Sequence, residues 1–346
     1  MSREISVHLA FLAALALAVS AACAGDEIVT IHGAGGATLQ GTLTLPDGKA
    51  GAKFPAVVIL AGSGPTDRNG NQPPALVTDL LRQIADGLAK NGIASLRYDK
   101  RGMHANRAEM PKDLAKFGEF FCWENFTGDA VAAFKFLQAR AEIDPARVGI
   151  TGHSEGGLLA LCAASDLKST FHGPAILVLL STPGRPIDAV IEGQLQTLLK
   201  KQQATPEQTK FFLDANARIS KTIRETGKIP PDVPPGLAAL YPQYLSQFYH
   251  SELAVDPAKL AGQFTGPVLI VAGGKDTQVS ATLDAKPLDA ALTARVGDDH
   301  RLVVVDDASH NLKPVNGDDP GFTGDIAPQA LEAITSWCAT KLAPKH

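Results

Sequence analysis

Residues 148–164 read VGITGHSEGGLLALCAA, and this stretch decides the fold. Its first residues are apolar, as in a buried strand, and its last residues are typical of a helix. Between them, Gly152-His153-Ser154-Glu155-Gly156 fits the pattern G-x-S-x-G, which requires a strand before it and a helix after it. We therefore predict a strand at 148–152, a sharp turn at Ser154 and a helix that begins at Glu155.

The turn predicted at Ser154 suits a nucleophilic serine. Such a turn strains the backbone, and side chains two positions away on either side would collide with it. Glycine at 152 and 156 removes that conflict. The helix also points its first amides, including that of Glu155, at the place where an oxyanion would form. The alternative is an ordinary serine in a Gly-rich turn.

Strand and helix patterns alternate along most of the chain. After a hairpin of strands at 27–32 and 38–45, the predicted strands are 55–62, 94–98, 148–152, 175–181, 267–272 and 302–305, and the predicted helices between them include 75–90, 126–141 and 155–164. This order predicts an α/β fold with a mostly parallel central sheet and helices on both faces.

The alternation breaks at residues 186–262, where the pattern predicts helices only, at 187–201, 206–226 and 237–250. We interpret this segment as a helical cap inserted between two parts of the core, 25–185 and 263–346. The strands flanking it would be neighbours, so the cap would cover the strand ends where α/β sheets bind ligands. The alternative is a surface excursion that contacts no ligand.

A serine nucleophile needs a base and an acid, which in this arrangement follow it in the order serine, acid, histidine. Three histidines lie beyond residue 262, and two of them are poorly placed: His300 starts the last strand at the wrong end, and His346 is the last residue. His310 follows that strand closely and is the candidate base. Asp276, directly after the strand at 267–272, is the candidate acid.

Other aspartates compete with Asp276 for the role of the acid. Asp306 and Asp307 are so close to His310 in sequence that we expect them to cap its loop instead. Asp284 is typical of a solvated helix residue.

The loop after the strand at 55–62 is the candidate source of a second oxyanion donor. Glycines on both sides of Ser63 would let its backbone amide approach a substrate closely. The amides of Ser63 and Glu155 would then form the oxyanion hole, and each such donor contributes about 10²–10³ in rate. Asp67 and Arg68 would tie this loop together.

Five motifs carry a family resemblance. In chain order they are Gly62-Ser63-Gly64-Pro65-Thr66-Asp67-Arg68-Asn69-Gly70-Asn71, Tyr98-Asp99-Lys100-Arg101-Gly102, Gly152-His153-Ser154-Glu155-Gly156-Gly157, Gly273-Gly274-Lys275-Asp276 and Ser309-His310. Together they resemble bacterial α/β-hydrolases of the carboxylesterase group, close to the serine-aminopeptidase-like hydrolases, over nearly the whole chain after residue 24. The resemblance implies the same triad and oxyanion hole, and esterase activity on short acyl esters. Met103-His104-Ala105 departs from the small Gly-Xaa-Ser run that many relatives have there.

Composition excludes several other classes of protein. The chain has 346 residues, 45% of them hydrophobic and 20% charged, which indicates a globular protein, and its net charge of −4 comes without any dense run of Lys or Arg. Nucleic acid is therefore not an expected partner. No HExxH motif, paired CxxC motif, Walker loop or acidic calcium loop occurs, so we expect neither a metal nor a cofactor.

The first residues have the pattern of a signal peptide. Arg3 precedes an apolar stretch at 9–19, too short to span a bilayer, and Ala22-Cys23-Ala24 is a small-x-small cleavage site. We expect cleavage after residue 24 and export to the periplasm or medium, with lipidation at Cys23 as the less favoured alternative. Of the remaining cysteines, Cys122 and Cys338 could form one bridge and Cys162 suits a buried helix.

These observations predict a serine hydrolase that cleaves carboxylic esters through Ser154, Asp276 and His310 and an acyl-enzyme intermediate. Two alternatives stay open at this point. The same triad could act on peptide amides, thioesters or lysophospholipids, or the fold could bind a ligand without turning it over.

Overall fold

The computed structural model describes residues 25–48, 51–170, 172–295, 297, 299–317 and 319–344. Its strands are β1 Gly25–His32, β2 Thr38–Leu45, β3 Phe54–Leu60, β4 Ala94–Tyr98, β5 Ile143–His153, β6 Leu177–Leu180, β7 Val268–Gly273 and β8 His300–Val305. They form one sheet in the order β1-β2-β4-β3-β5-β6-β7-β8. β2 pairs antiparallel with both β1 and β4, and every other neighbouring pair is parallel.

Helices separate most of the strands. They are α1 Leu80–Lys90, α2 Phe117–Phe120, α3 Trp123–Gln138, α4 Glu155–Leu167, α5 Ile187–Lys201, α6 Pro206–Thr226, α7 Ser246–Leu253, α8 Pro257–Gln263, α9 Lys286–Thr293 and α10 Pro328–Lys341. None of the helices in the described part of the chain combines the length and the apolar composition that crossing a membrane requires. The predicted signal peptide, residues 1–24, lies outside the described residues.

Helices cover both faces of the sheet, because the side chains on both faces of its central strands are apolar. On β3, Val57 and Ile59 pack into the cluster formed with α1 and α10, whereas Val58 and Leu60 pack into the cluster that holds α3 and α4. Successive residues of a strand point to opposite faces, so an uninterrupted apolar run suits a strand covered on both sides. The predicted α/β class, with a mostly parallel sheet between helices, is confirmed.

The first helix is shorter than predicted, because residues 75–79 belong to a loop. The side-chain oxygen of Asn71 accepts hydrogen bonds from the amides of Thr78 and Asp79, both at 2.8 Å. Asp79 has φ 49°, in the left-handed region, so the helix begins only at Leu80. The Asn71 side chain thus accepts the hydrogen bonds of two backbone amides that would otherwise bond to carbonyl groups within a longer helix.

The segment between β6 and β7 contains α5, α6, α7 and α8, and these two strands are parallel neighbours. The helix predicted at 237–250 is wrong as a single element: short turns at Pro235–Leu237 and Gln243–Leu245 precede α7. Pro242 explains the break, because proline lacks the amide hydrogen that an interior helical position must donate. The boundaries of the cap, 186 and 262, stay a prediction.

Candidate active site

Ser154 occupies the turn between β5 and α4. Its backbone has φ 55° and ψ −125°, a conformation that a non-glycine residue adopts at a cost of roughly 1–3 kcal/mol. The turn is fixed on both sides, because the Ser154 amide donates to the Leu180 oxygen at 2.9 Å and the Ser154 oxygen accepts from the Gly157 amide at 2.9 Å. Strain of this kind raises the side chain out of the sheet and presents its hydroxyl.

The glycines on either side are required by close backbone contacts. A Cβ atom at position 152 would overlap the carbonyl oxygen of Gly156, and one at 156 would overlap the carbonyl oxygen of Leu60. Backbone atoms cannot move aside as side chains can. Glycine at both positions is therefore what lets α4 begin directly behind the turn.

Asp276 and His310 follow β7 and β8, which are neighbouring parallel strands, and they form a hydrogen-bonded pair. The distance from His310 Nδ1 to Asp276 Oδ2 is 2.8 Å, and the Asp276 side chain is fully buried. The other carboxylate oxygen accepts from the amides of Gln278 and Val279 at 2.8 and 2.9 Å. Burial alone would raise the pKa of Asp276, but the charge and hydrogen bond of His310 and these amides hold it below its usual value.

Ser154 and His310 line one small cavity together with Ser63. Its volume is about 70 Å³, and Gln278 and Asn311 also border it. Since Nδ1 of His310 is bonded to Asp276, Nε2 is the ring nitrogen left to exchange a proton in the cavity. The structure therefore brings together Ser154, His310 and Asp276, the predicted nucleophile, base and acid, from three separate strand ends.

The loop that carries Ser63 lies directly against Ser154, the predicted nucleophile. A Cβ atom built on Gly62 would be 3.2 Å from Cβ of Ser154. The Ser63 oxygen accepts from Thr66 Oγ1 at 2.8 Å and from Gln72 Nε2 at 3.1 Å, which fixes the loop. Within the described residues the Ser63 amide donates to no backbone or side-chain acceptor.

The second predicted donor, the Glu155 amide, is the first N–H of α4. The first amides of a helix have no acceptor four residues earlier within the helix, so they are available to a ligand. Both amides therefore flank Ser154, one on the loop after β3 and one on α4.

Asp67 and Arg68 hold the loop after β3 together, as expected. Asp67 Oδ1 accepts from the amides of Asn69 and Asn71, each at 2.8 Å. Arg68 Nη2 forms an ion pair with Asp99 at 2.8 Å. The loop is thereby anchored to the end of β4.

His104 belongs to the run that departs from the family pattern. It has φ 47°, and its Nε2 lies 2.6 Å from the Pro65 oxygen. His104 thus links the loop after β4 to the loop that carries Ser63.

His153 is a site residue that the sequence reasoning missed. It is buried, its Nε2 lies 2.9 Å from the backbone oxygen of His310, and the two ring centroids are 4.7 Å apart. Burial, followed by the nearby charge of His310, lowers the pKa of His153 to about 3. It is therefore a neutral ring that donates to the His310 backbone. The only available signal was its place inside G-x-S-x-G.

Asp284 contradicts its interpretation as a solvated helix residue. Its side chain is fully buried, and it pairs with Arg185 Nη2 at 2.9 Å. It also accepts from the amides of Gly184 at 3.2 Å and Ser280 at 3.0 Å. Asp284 thus ties the chain that leaves β6 to the loop that carries Asp276. The helical pattern around it gave no sign of a partner so distant in sequence.

The other competing acids do not contact the histidine. Asp306 and Asp307 are exposed, and the structure shows the Asp276 contact instead. Cys122, Cys162 and Cys338 are all free thiols, so the bridge considered between the first and last is absent. Nowhere in the described ranges do three or more His, Cys, Asp or Glu side chains gather in a way that could hold a metal ion.

Comparison with known proteins places the chain among hydrolases. The family model described as serine aminopeptidase, S33, matches residues 78–313. Esterase EstD of Thermotoga maritima is 29% identical over 317 residues, which cover 90% of this chain and 67% of that protein.

Solved structures share the α/β-hydrolase fold with this chain. Est1E from Butyrivibrio proteoclasticus superposes with a TM-score of 0.55 at 15% identity, over 92% of this chain and 99% of that one. A puromycin-hydrolyzing peptidase from Mycobacterium tuberculosis gives a TM-score of 0.55 at 18% identity, over 97% of this chain and 41% of that one. At these identities the likeness concerns the fold alone.

Proposed function

The chain belongs to the serine aminopeptidase (S33) family of α/β-hydrolases, and on that premise we propose that it hydrolyses carboxylic esters through a Ser154 acyl-enzyme. One observation carries the proposal. A serine with strained backbone shares a cavity with a histidine whose far nitrogen is bonded, at 2.8 Å, to a fully buried aspartate. The named esterase relative supports the ester as the bond attacked.

In the first step His310 Nε2 removes the hydroxyl proton of Ser154 while Oγ attacks the ester carbonyl. The tetrahedral intermediate carries its negative oxygen between the Ser63 and Glu155 amides. As the C–O bond breaks, the imidazolium returns the proton to the leaving alcohol. Asp276 keeps the Nδ1 proton in place and stabilises the positive charge of the ring throughout.

In the second step a water molecule replaces the alcohol. His310 Nε2 removes a proton from that water, the hydroxide attacks the acyl-enzyme carbonyl, and Ser154 leaves with the proton from the ring. The products are an acid and an alcohol, and no redox partner or cofactor is required.

The proposal is tested with p-nitrophenyl acetate and butyrate and with Ser154→Ala. We expect turnover of both esters by the natural protein and none by the variant, whereas full activity in Ser154→Ala would falsify the assignment. Side-by-side assay of aminoacyl p-nitroanilides and acyl thioesters decides which bond is preferred. Failure of a fluorophosphonate to label Ser154 would favour ligand binding without turnover.

We also propose that the protein is exported. The support is the signal-peptide pattern at residues 1–24. Amino-terminal sequencing of the protein from a periplasmic fraction should begin near Gly25. An intact amino terminus, or a lipid on Cys23, would contradict cleavage after residue 24.

A further inference from the structure

A buried lysine lies behind the loop that carries Ser63. Lys100, two residues after β4, is 5% exposed, and its Nζ donates a hydrogen bond of 2.6 Å to the carbonyl oxygen of Gly62. That carbonyl and the N–H of Ser63 belong to the same peptide unit. The ammonium therefore holds the oxygen end of the peptide whose hydrogen end is the proposed oxyanion donor.

The same ammonium is paired with the residue that supplies the other donor. Lys100 Nζ lies 3.6 Å from Glu155 Oε1, and the Glu155 side chain is 12% exposed. One side chain thus contacts the Gly62–Ser63 peptide and the side chain of Glu155. The two amides come from different elements, and Lys100 is a contact that both elements share.

Glu252 of α7 completes this cluster of Lys100, Glu155 and Glu252. It is 2% exposed, and the charges of Glu155 and Lys100 both act on its carboxyl group. Burial, with the neighbouring charge of Glu155, raises the pKa of Glu252 well above its usual value, although Lys100 opposes this. Burial likewise lowers the pKa of Lys100, and Glu155 and Glu252 counteract that effect.

A buried ammonium is costly unless it is paired and hydrogen-bonded. An apolar side chain at position 100 would fill the same space without that cost. Packing alone therefore does not explain the ammonium of Lys100, whereas its hydrogen bond to the Gly62 oxygen does.

We propose that Lys100 is a positioning residue for the oxyanion hole, which orients and polarises the Gly62–Ser63 peptide and links it to α4 through the Glu155 carboxylate. The inference rests on the proposed acyl-transfer function. A hydrogen bond accepted by a peptide oxygen strengthens the donor at the other end of that peptide, and a charged partner strengthens it more. The effect is greatest when negative charge develops on the substrate oxygen, so it belongs to the transition state.

The test compares Lys100→Met, which keeps the shape of the side chain and removes the ammonium, with Lys313→Met. Lys313 is also buried and binds a carbonyl oxygen, that of Gly324, so its variant matches the loss of a buried lysine contact away from the oxyanion loop. The readouts are kcat and KM for p-nitrophenyl butyrate and the inhibition constant of an alkyl trifluoromethyl ketone. The ketone forms an oxyanion on Ser154 and reports on the hole directly.

We expect Lys100→Met to lower kcat and weaken ketone binding in parallel, each by about tenfold to a hundredfold, with KM changed by less than about threefold. Lys313→Met should lose thermal stability without this paired loss. Lys100→Gln, which retains a neutral donor, should recover part of both. The amide ¹⁵N shift of Ser63 should also move in Lys100→Met.

Lys100→Met leaves two buried carboxyl groups without a cation and could fail to fold for that reason. The double variant Lys100→Met/Glu252→Gln removes one of these carboxyl groups and is compared with Glu252→Gln alone. Relative to that control, the double variant should show the same parallel loss of kcat and of ketone binding. If kcat and ketone binding in the Lys100 variants match those of their controls, the inference is overturned while the proposed function stands. If the natural protein neither cleaves the ester nor binds the ketone, both fail.

Discussion

Replacing Asp276 with Asn should inactivate the protein by putting the proton of His310 on the wrong nitrogen. The carboxylate accepts three hydrogen bonds, from His310 Nδ1 at 2.8 Å and from the amides of Gln278 and Val279. The Asn oxygen would keep the two amide bonds, which turns its NH₂ group towards His310. Nδ1 must then accept, so the ring proton moves to Nε2, where it blocks removal of the Ser154 proton.

The magnitude follows from the loss of the base and of the charge that stabilises the imidazolium. A tautomer error of this kind costs about 10⁴ in kcat, or about 5 kcal/mol of transition-state stabilisation. The assay is kcat for p-nitrophenyl butyrate at pH 7–8. Asp306→Asn is the matched control, because Asp306 is exposed at the end of β8, and it should stay within about twofold of the natural protein.

Stability gives the same experiment an independent readout. The pKa of Asp276 is held below its usual value, so its ionised form stabilises the fold above about pH 4, and that contribution is lost as the pH falls. The melting-temperature difference between Asp276→Asn and the natural protein should therefore shrink on acidification. A variant that retained kcat within tenfold would refute the assigned role of Asp276.

Three further changes test other parts of the structure. Gly152→Ala should lower the free energy of unfolding by at least about 3 kcal/mol in urea titration, because its Cβ overlaps the backbone oxygen of Gly156; a loss below 1 kcal/mol would contradict this contact. Glu252→Gln should raise the melting temperature at pH 8 by roughly 2–4 °C and change it little at pH 4, because the unfolded chain releases this proton above about pH 4 whereas the folded chain holds it to a higher pH, so stability falls as the pH rises through that window. An equal shift at both pH values would refute the explanation. Asp284→Asn should cost about 2–4 kcal/mol by breaking the buried pair with Arg185, as measured by chemical denaturation, and an unchanged midpoint would count against that pair.

The fold could be predicted because strand and helix patterns are local. The run at 148–164 identified β5, the turn and α4 because apolar period and glycine spacing are properties of adjacent residues. The start of α1 could not be found in this way, because a side chain outside the helical pattern, that of Asn71, holds the preceding backbone.

The candidate triad could be assembled because each member directly follows a strand, and strand ends of a parallel sheet meet at one edge. His153, Lys100 and Asp284 could not be placed, since their roles depend on contacts with residues far away in sequence. Asp284 meets Arg185 across 99 positions, and His153 meets His310 across 157. Neither the amino-acid composition nor the spacing of apolar residues along the chain indicates which distant residues come into contact.

Every step of the proposed mechanism requires Ser154 as the nucleophile. A fluorophosphonate should add one phosphonyl group per chain, and peptide mass mapping should locate it on Ser154. Ser165→Ala, a change on α4, should label like the natural protein, and Ser154→Ala should not label at all. Undiminished labelling and ester turnover by Ser154→Ala would contradict Ser154 as the nucleophile.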